Sequence, residues 1–220
     1  MAMIKGCSMV YRRSALAAAM LIAGTAVPVA AAPFTYFTDF STGVGPEFTL
    51  TNVGVNSNDA GILGQLEGGV VTLAQTTPGA GSGTIRFDLL GFRSIDGANC
   101  CTDTFRFSVN DTEVFNGVFA LGGGGGEGFN GPPGTTVTGG GPVRTITIPV
   151  TLLAGANSFA FTYGTLQGFD DEAWGLDNVG IDAQVAVNGV PEPATWVAMV
   201  AGFGLLGGAT RRRVARSGIA

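Results

Sequence analysis

Between residues 34 and 190 the chain alternates apolar and polar positions in short bursts, separated by Gly, Asn, Asp and Pro. A period of two is the mark of strands with one buried face. Nine segments carry it: 34–40, 47–52, 70–75, 84–90, 104–109, 113–120, 143–150, 158–163 and 174–187. In 84–90, Ile85, Phe87 and Leu89 share one face, and in 104–109 Phe105, Phe107 and Val109 do the same. Asn110-Asp111 predicts a tight reversal between neighbouring strands, and the Asn110-Asp-Thr112 sequon is read as turn chemistry. No helical period of useful length occurs here. The pattern predicts an all-β domain, a single jelly-roll-like β-sandwich of about nine strands with long loops. The glycine-rich stretches 122–128 and 131–141 read as a long flexible loop. Neither has the Lys-Ser/Thr or the strand-to-helix change of a phosphate loop.

The two ends depart from this pattern. Residues 1–13 are short and basic, and 14–27 (SALAAAMLIAGTAV) are apolar and small. Pro28 then precedes Val29-Ala-Ala-Ala32, which is the three-part layout of a secretory signal peptide. Val29 and Ala31 suit the small-residue pockets of signal peptidase, so removal of residues 1–31 is expected. The competing reading, an uncleaved anchor, meets an apolar run shorter than the ~20 residues a spanning helix needs. At the other end come Pro191-Glu192-Pro193, Trp196, an apolar Gly-rich run, and Arg211-Arg212-Arg213. Trp suits a membrane interface and the arginines its cytoplasmic side, so this run is expected to be a transmembrane helix. Its 17 residues lie at the lower limit for a span. The expected organisation is a signal helix over 1–31, an exported β-sandwich over 32–189, and a C-terminal segment over 190–216.

PEPATW, the Gly-Phe-Gly-Leu-Leu-Gly-Gly run and the arginine triplet resemble the PEP-CTERM sorting signal in its PEPxxW variant. Val197 departs from it, standing where that variant often has Ala. The resemblance covers about the last 30 residues of the sequence. It implies a Gram-negative bacterial protein that is exported across the inner membrane and transiently anchored there. Recognition by the membrane enzyme exosortase near the Pro-Glu-Pro would come next, and then delivery to the cell surface, outer membrane or exopolysaccharide matrix. The alternative is a plain C-terminal tail anchor.

Charge separates along the chain. Only Arg86, Arg93, Arg106 and Arg144 lie between the two end segments, whereas all 16 acidic residues fall between Asp39 and Glu192, a net of −12. Phosphate backbones would be repelled, so nucleic acid is not expected as a partner. Histidine is absent, which removes Ser-His-Asp and Cys-His nucleophiles and imidazole metal sites. Cys100 and Cys101 are adjacent. In an oxidising compartment they would form a strained vicinal disulfide or intermolecular bridges, or persist as a thiol pair.

The acids gather in Asp170-Asp171-Glu172-Ala-Trp174-Gly-Leu-Asp177-Asn178-Val-Gly-Ile181, where carboxylates must be solvated, protonated or bound to a cation. This stretch resembles the closing strand of jelly-roll, lectin-like and carbohydrate-binding-module-like domains. Phe37-Thr-Asp39-Phe, Ser94-Ile-Asp96-Gly, Asp103-Thr-Phe105 and Leu153-Ala-Gly155-Ala-Asn157 resemble the same group. The resemblance implies a structural Ca²⁺ tying the first strand to the last. Asp39 and Asp177 would hold it, assisted by Asp103 or Asp171; turn-capping acids facing water are the alternative.

Three functions remain open on sequence. One is a non-catalytic surface or matrix module binding exopolysaccharide. A second is a carboxylate-based glycan hydrolase. The third is a purely structural surface protein. For the ends, intact-mass measurement of the native mature protein is expected to show a chain lacking residues 1–31 and cut near Pro191-Glu192-Pro193; a mass retaining 194–220 would make the tail an anchor.

Overall fold

The structure is a computed structural model and describes residues 29–55, 61–99, 101–164, 166–188 and 199–203. The described residues form thirteen strands: β1 Val29–Thr38, β2 Phe48–Thr51, β3 Gly54–Val55, β4 Leu63–Glu67, β5 Val70–Thr77, β6 Gly81–Arg93, β7 Thr104–Val109, β8 Thr112–Val118, β9 Gly128–Asn130, β10 Thr136–Gly140, β11 Val143–Leu152, β12 Gly155–Gly164 and β13 Glu172–Asn188. Seven form one sheet in the order β10-β11-β6-β13-β4-β3, with β1 also on β13. The other six are arranged in the order β2-β5-β12-β7-β8-β9. The pairings are antiparallel, so each sheet can present one face to the core and one to water.

The nine segments expected from alternation all recur as strands. The other four are β3, β4, β9 and β10. The last two correct the expectation of one flexible loop over 122–141. Thr136–Gly140 pairs with Val143–Thr147 and gives the larger sheet an edge, while Gly128–Asn130 pairs with Asn116–Val118. Glycine-rich composition hid these pairings because their hydrogen bonds are made by the backbone, which composition does not report.

The core lies between the inward faces. Phe87 on β6 packs edge-on against Phe161 at 5.1 Å and lies 5.7 and 5.8 Å from Phe105 and Phe107. These rings are fully buried, each contributing roughly 1.5–3 kcal/mol through removal from water. Asn110 and Asp111 both adopt positive φ (49° and 63°), the geometry of the expected two-residue hairpin. Asn110 also accepts the Ser158 amide at 2.9 Å and donates to Asn157 at 3.1 Å. The sequon asparagine is therefore occupied in joining turns.

One irregularity sets the shape of the larger sheet. Asp177 pairs with Asp88, but the next registered pair is Gly180 with Arg86, so β13 carries one extra residue. Asn178, at φ 50°, takes up this bulge. Beyond it Val179, Ile181 and Val185 point inward, while Gly180, Asp182 and Gln184 point outward.

The signal segment lies mostly outside the described residues, but Val29–Ala31 form the start of β1 opposite Ala186–Asn188. Pro191, Glu192, Pro193, Trp196 and Arg211–Arg213 lie outside the described residues. Residues 199–203 are helical, with Met199, Val200 and Phe203 exposed. Among the described residues no helix is long and apolar enough to cross a membrane.

Candidate functional site on the outer face of the larger sheet

Phe37 breaks the parity of its strand. In β1 the residues Phe34 and Tyr36 pack against the core, which leaves Phe37 on the outer side, 63% exposed. Its partner across the sheet is Gly180. A Cβ at Gly180 would lie in van der Waals contact with the Phe37 ring, at 3.4 Å, so the ring sits directly over β13. Beyond Gly180 stands Arg86 on β6. Thr35, Tyr36, Phe37, Arg86, Asn178, Gly180 and Asp182 line a shallow cleft of about 200 Å³. Arg86 makes no hydrogen bond or ion pair with another described residue, whereas Arg106 and Arg144 are paired with Glu113 and Glu127. β1 itself is fixed from below, since Tyr36 donates its hydroxyl to Glu47 at 2.8 Å. Burial, reinforced by that bond to a carboxylate, raises the Tyr36 pKa.

Beside the cleft lies an acidic group. The Asn178 side-chain amide donates to Asp88 at 2.8 Å and to Asp177 at 3.2 Å. The Asn178 backbone N–H caps Asp177 at 2.6 Å, and Thr145 donates its hydroxyl to Asp88 at 2.6 Å. Burial is the main cause raising the Asp177 pKa, with Asp88 and Asp39 adding repulsion against the pull of the Asn178 amide. Asp39 itself is exposed and held below the usual carboxylate range by the Ser41 hydroxyl and amide.

The four acids expected to share one cation occupy three places. Asp39 and Asp177 are near enough to repel, and Asp88, which alternation marks only as an outward strand residue, joins them. Asp103 is elsewhere, buried at the loop end of the sandwich. It accepts the Asp96 amide at 2.9 Å and lies hydrogen-bonded beside Glu172. Glu172 accepts the Gln167 amide at 2.6 Å, and burial outweighs that bond to raise its pKa. Asp171 is exposed and takes the Ser94 hydroxyl at 2.5 Å. Among the described residues no group of three or more Asp, Glu or Cys converges to hold a metal ion. Cys100 lies outside the described residues, and Cys101 is exposed with its amide donating to Asn99 at 2.6 Å.

A hydrolase built on Trp174 or Tyr163 would need them in an open groove beside two carboxylates. Trp174 and Tyr163 are instead 0% and 1% exposed, as are Asp103 and Glu172 at 1% each, so a polysaccharide does not reach them. The Trp174 indole N–H and the Tyr163 hydroxyl have no hydrogen-bond partner among the described residues. The sequence signal for the outer cleft was available in Phe37, an aromatic at a polar-parity position. Arg86 was likewise placed outward by Ile85 and Phe87 on either side. What alternation did not reveal is that the two flank one cleft, because they are joined only through β13.

No protein-family model matches the chain, and no curated protein matches it. Among solved structures, the chain is similar to the CBM35 from Cellvibrio japonicus Abf62, at 12% identity and TM-score 0.40 over 67% of this chain and 92% of that one. It is also similar to a family 35 carbohydrate binding module from Clostridium thermocellum, at 16% identity and TM-score 0.36 over 68% and 97%. A third is the CBM35 from Paenibacillus barcinonensis, at 18% identity and TM-score 0.36 over 67% and 97%. Those TM-scores are too low to define a shared fold.

The raised Asp177 pKa has a signed consequence. The folded protein holds that proton more tightly than the unfolded chain, so the stabilisation is full below the ordinary carboxylate range and is lost as pH rises through the raised value. In chelator-containing buffer Asp177→Asn should match the parent in acid and become progressively more stable than it toward neutral pH. Thermal melts against pH check this; a difference that stays constant with pH would contradict it.

Proposed function

We propose that this is an exported, non-catalytic protein of the bacterial cell surface or extracellular matrix, and that its jelly-roll-like sandwich binds a glycan on the outer face of the larger sheet. The observation that carries the reading is the cleft under Phe37. A large aromatic ring left in water beside an unpaired guanidinium, a side-chain amide and a carboxylate is a set matched to a sugar. The ring takes the C–H face of a pyranose, while Arg86, Asn178 and Asp182 offer donors and acceptors to its hydroxyls. Preformed clefts with a few fixed polar groups are the usual form of such sites. The burial of Asp103, Glu172, Trp174 and Tyr163 argues against the hydrolase reading.

Delivery belongs to the same proposal. The Pro191-Glu192-Pro193, Trp196 and Arg211–Arg213 pattern would make the chain a substrate of exosortase after signal peptidase has acted, with transient membrane anchoring through the segment between. Calcium enters as a stabiliser only. Asp39 and Asp177, the two expected ligands that lie near each other, are the residues that would hold it, and their carboxylates now engage Ser41 and Asn178 instead. A cation there would have to displace hydrogen bonds. Calcium is expected to raise the melting temperature of the parent and not of Asp177→Ala; no effect on the parent would remove it from the proposal.

For the glycan, covering about 60 Å² of the Phe37 ring at ~25 cal/mol/Å² is worth roughly 1.5 kcal/mol, or about tenfold in affinity. Phe37→Ala should therefore lose about tenfold in retention on immobilised exopolysaccharide from the producing strain, without a change in melting temperature. Equal retention of the parent and the variant would refute the assignment of this cleft.

A further inference from the structure

The cleft is one end of a longer feature. Register pairs align Phe37 of β1 with Gly180 of β13, Gly180 with Arg86 of β6, Arg86 with Thr147 of β11, and Thr147 with Thr136 of β10. Side chains directly across an antiparallel sheet share a face. These five positions therefore form one straight row over five strands, perpendicular to them. Four inter-strand steps of ~4.8 Å make the row about 19 Å long. Alternation along each strand puts the row on the solvent side, since Ile146 and Ile148 flank Thr147 inward and Val137 lies inward beside Thr136. Thr147 and Thr136 make no side-chain hydrogen bond with another described residue, unlike Thr145, which is engaged by Asp88.

Resting on the glycan-binding reading above, we propose that the ligand is a neutral, linear polysaccharide whose chain lies across the strands along Phe37, Gly180, Arg86, Thr147 and Thr136. The row has the order such a ligand needs. An aromatic platform sits at one end, its ring lying beside Gly180. A planar fork of donors comes next, and then two hydroxyls that both donate and accept. A single sugar would fill the cleft between Phe37 and Arg86 and leave Thr147 and Thr136 untouched. Only a chain engages the whole row.

The neighbouring rows decide the charge of the ligand. On one side run Asp177, Asp88, Thr145 and Thr138; on the other run Thr35, Asp182, Thr84 and Pro149. Three carboxylates thus border one guanidinium, on a domain that carries 15 acids against four arginines between its end segments. A uronate or sulfated polymer would meet net repulsion along the whole row. Neutral hydroxyls accept hydrogen bonds from Arg86 and donate to Asp182 without that cost.

The test is calorimetric titration of the full secreted protein with cello-, xylo- and manno-oligosaccharides from monosaccharide to hexasaccharide, and with polygalacturonate. The parent should gain about tenfold or more in affinity for one neutral series between the disaccharide and the tetrasaccharide. The double variant Thr136→Val, Thr147→Val keeps the β-branched shape of both residues. It should bind the disaccharide as the parent does and lose most of the gain with length. Affinity independent of length, or a gain that survives in the double variant, overturns the row and leaves the Phe37 cleft standing. Tighter binding of polygalacturonate than of every neutral chain overturns the neutral class. Binding of no saccharide by the parent overturns both this proposal and the function on which it rests. Melting temperatures of the variants separate lost contacts from lost fold.

Discussion

Strand β13 runs for 17 residues and is hydrogen-bonded on both edges, to β6 on one side and to β4 and then β1 on the other. Midway it carries one residue more than β6. Had alternation continued unbroken from the inward Leu176, Asp182 and Gln184 would point into the core and Ile181 and Val185 into water. Burying an uncompensated carboxylate costs several kcal/mol, so that register is closed to this sequence. The bulge resets the parity with a single asparagine in the left-handed region, a conformation Asn tolerates better than most residues. The same extra residue gathers Asp177 and Asn178 beside Asp88 and brings Gly180 opposite Arg86 and Phe37. Core and outer face are consequences of one backbone irregularity.

This explains what alternation in the sequence did and did not reveal. Strands such as β6 and β7, whose Phe and Ile residues recur at every second position, were legible because the core demands that spacing. β3, β4, β9 and β10 were not. Gly54–Val55 and Gly128–Asn130 are too short to show a period, and Thr136–Gly140 has only Val137 facing inward. The sharing of acids divides in the same way. That Asp39 and Asp177 approach each other agrees with a first strand lying against the last. Asp103 and Asp171 were drawn to other partners because their loops fold toward Asp96 and Ser94, a choice made with backbone hydrogen bonds from Asp103 to Asp96 and from Ser94 to Asp171 that residue identity does not encode. Phe37 was visible as an aromatic on a polar parity, yet its meaning required the strand that lies between it and Arg86.

The loop end of the sandwich shows the opposite use of polar residues. Asp103, Glu172, Tyr163 and Trp174 are inside, where the Glu172 carboxyl, beside that of Asp103, is held up in pKa by loss of water. Burial raises the Tyr163 hydroxyl as well, with Asp103 and Glu127 adding to it. Charged groups enclosed this way serve neither a substrate nor a polymer passing over the surface. On the outer face the polar groups stay wet, and Phe37 is the large apolar side chain among them. The two carboxylate-rich regions therefore differ in access rather than composition, and access is what separates binding from a merely polar interior.

The pairing of the start of β1 with the end of β13 bears on the same face. Val29 pairs with Asn188, so β1 starts where β13 stops. A cut after Ala31 would remove the first three residues of β1 and keep the pairs from Ala32 to Thr38, including Phe37 with Gly180. The Tyr36 bond to Glu47 lies within the retained part and holds it from the core side. A chain anchored through the segment after Asn188 would carry Gly180 eight positions up the strand, about 26 Å from the point of attachment at ~3.3 Å per residue. The row runs perpendicular to that strand. A polymer following it would cross β13 at a right angle, at the middle of the sheet rather than at the end where β1 starts and β13 stops.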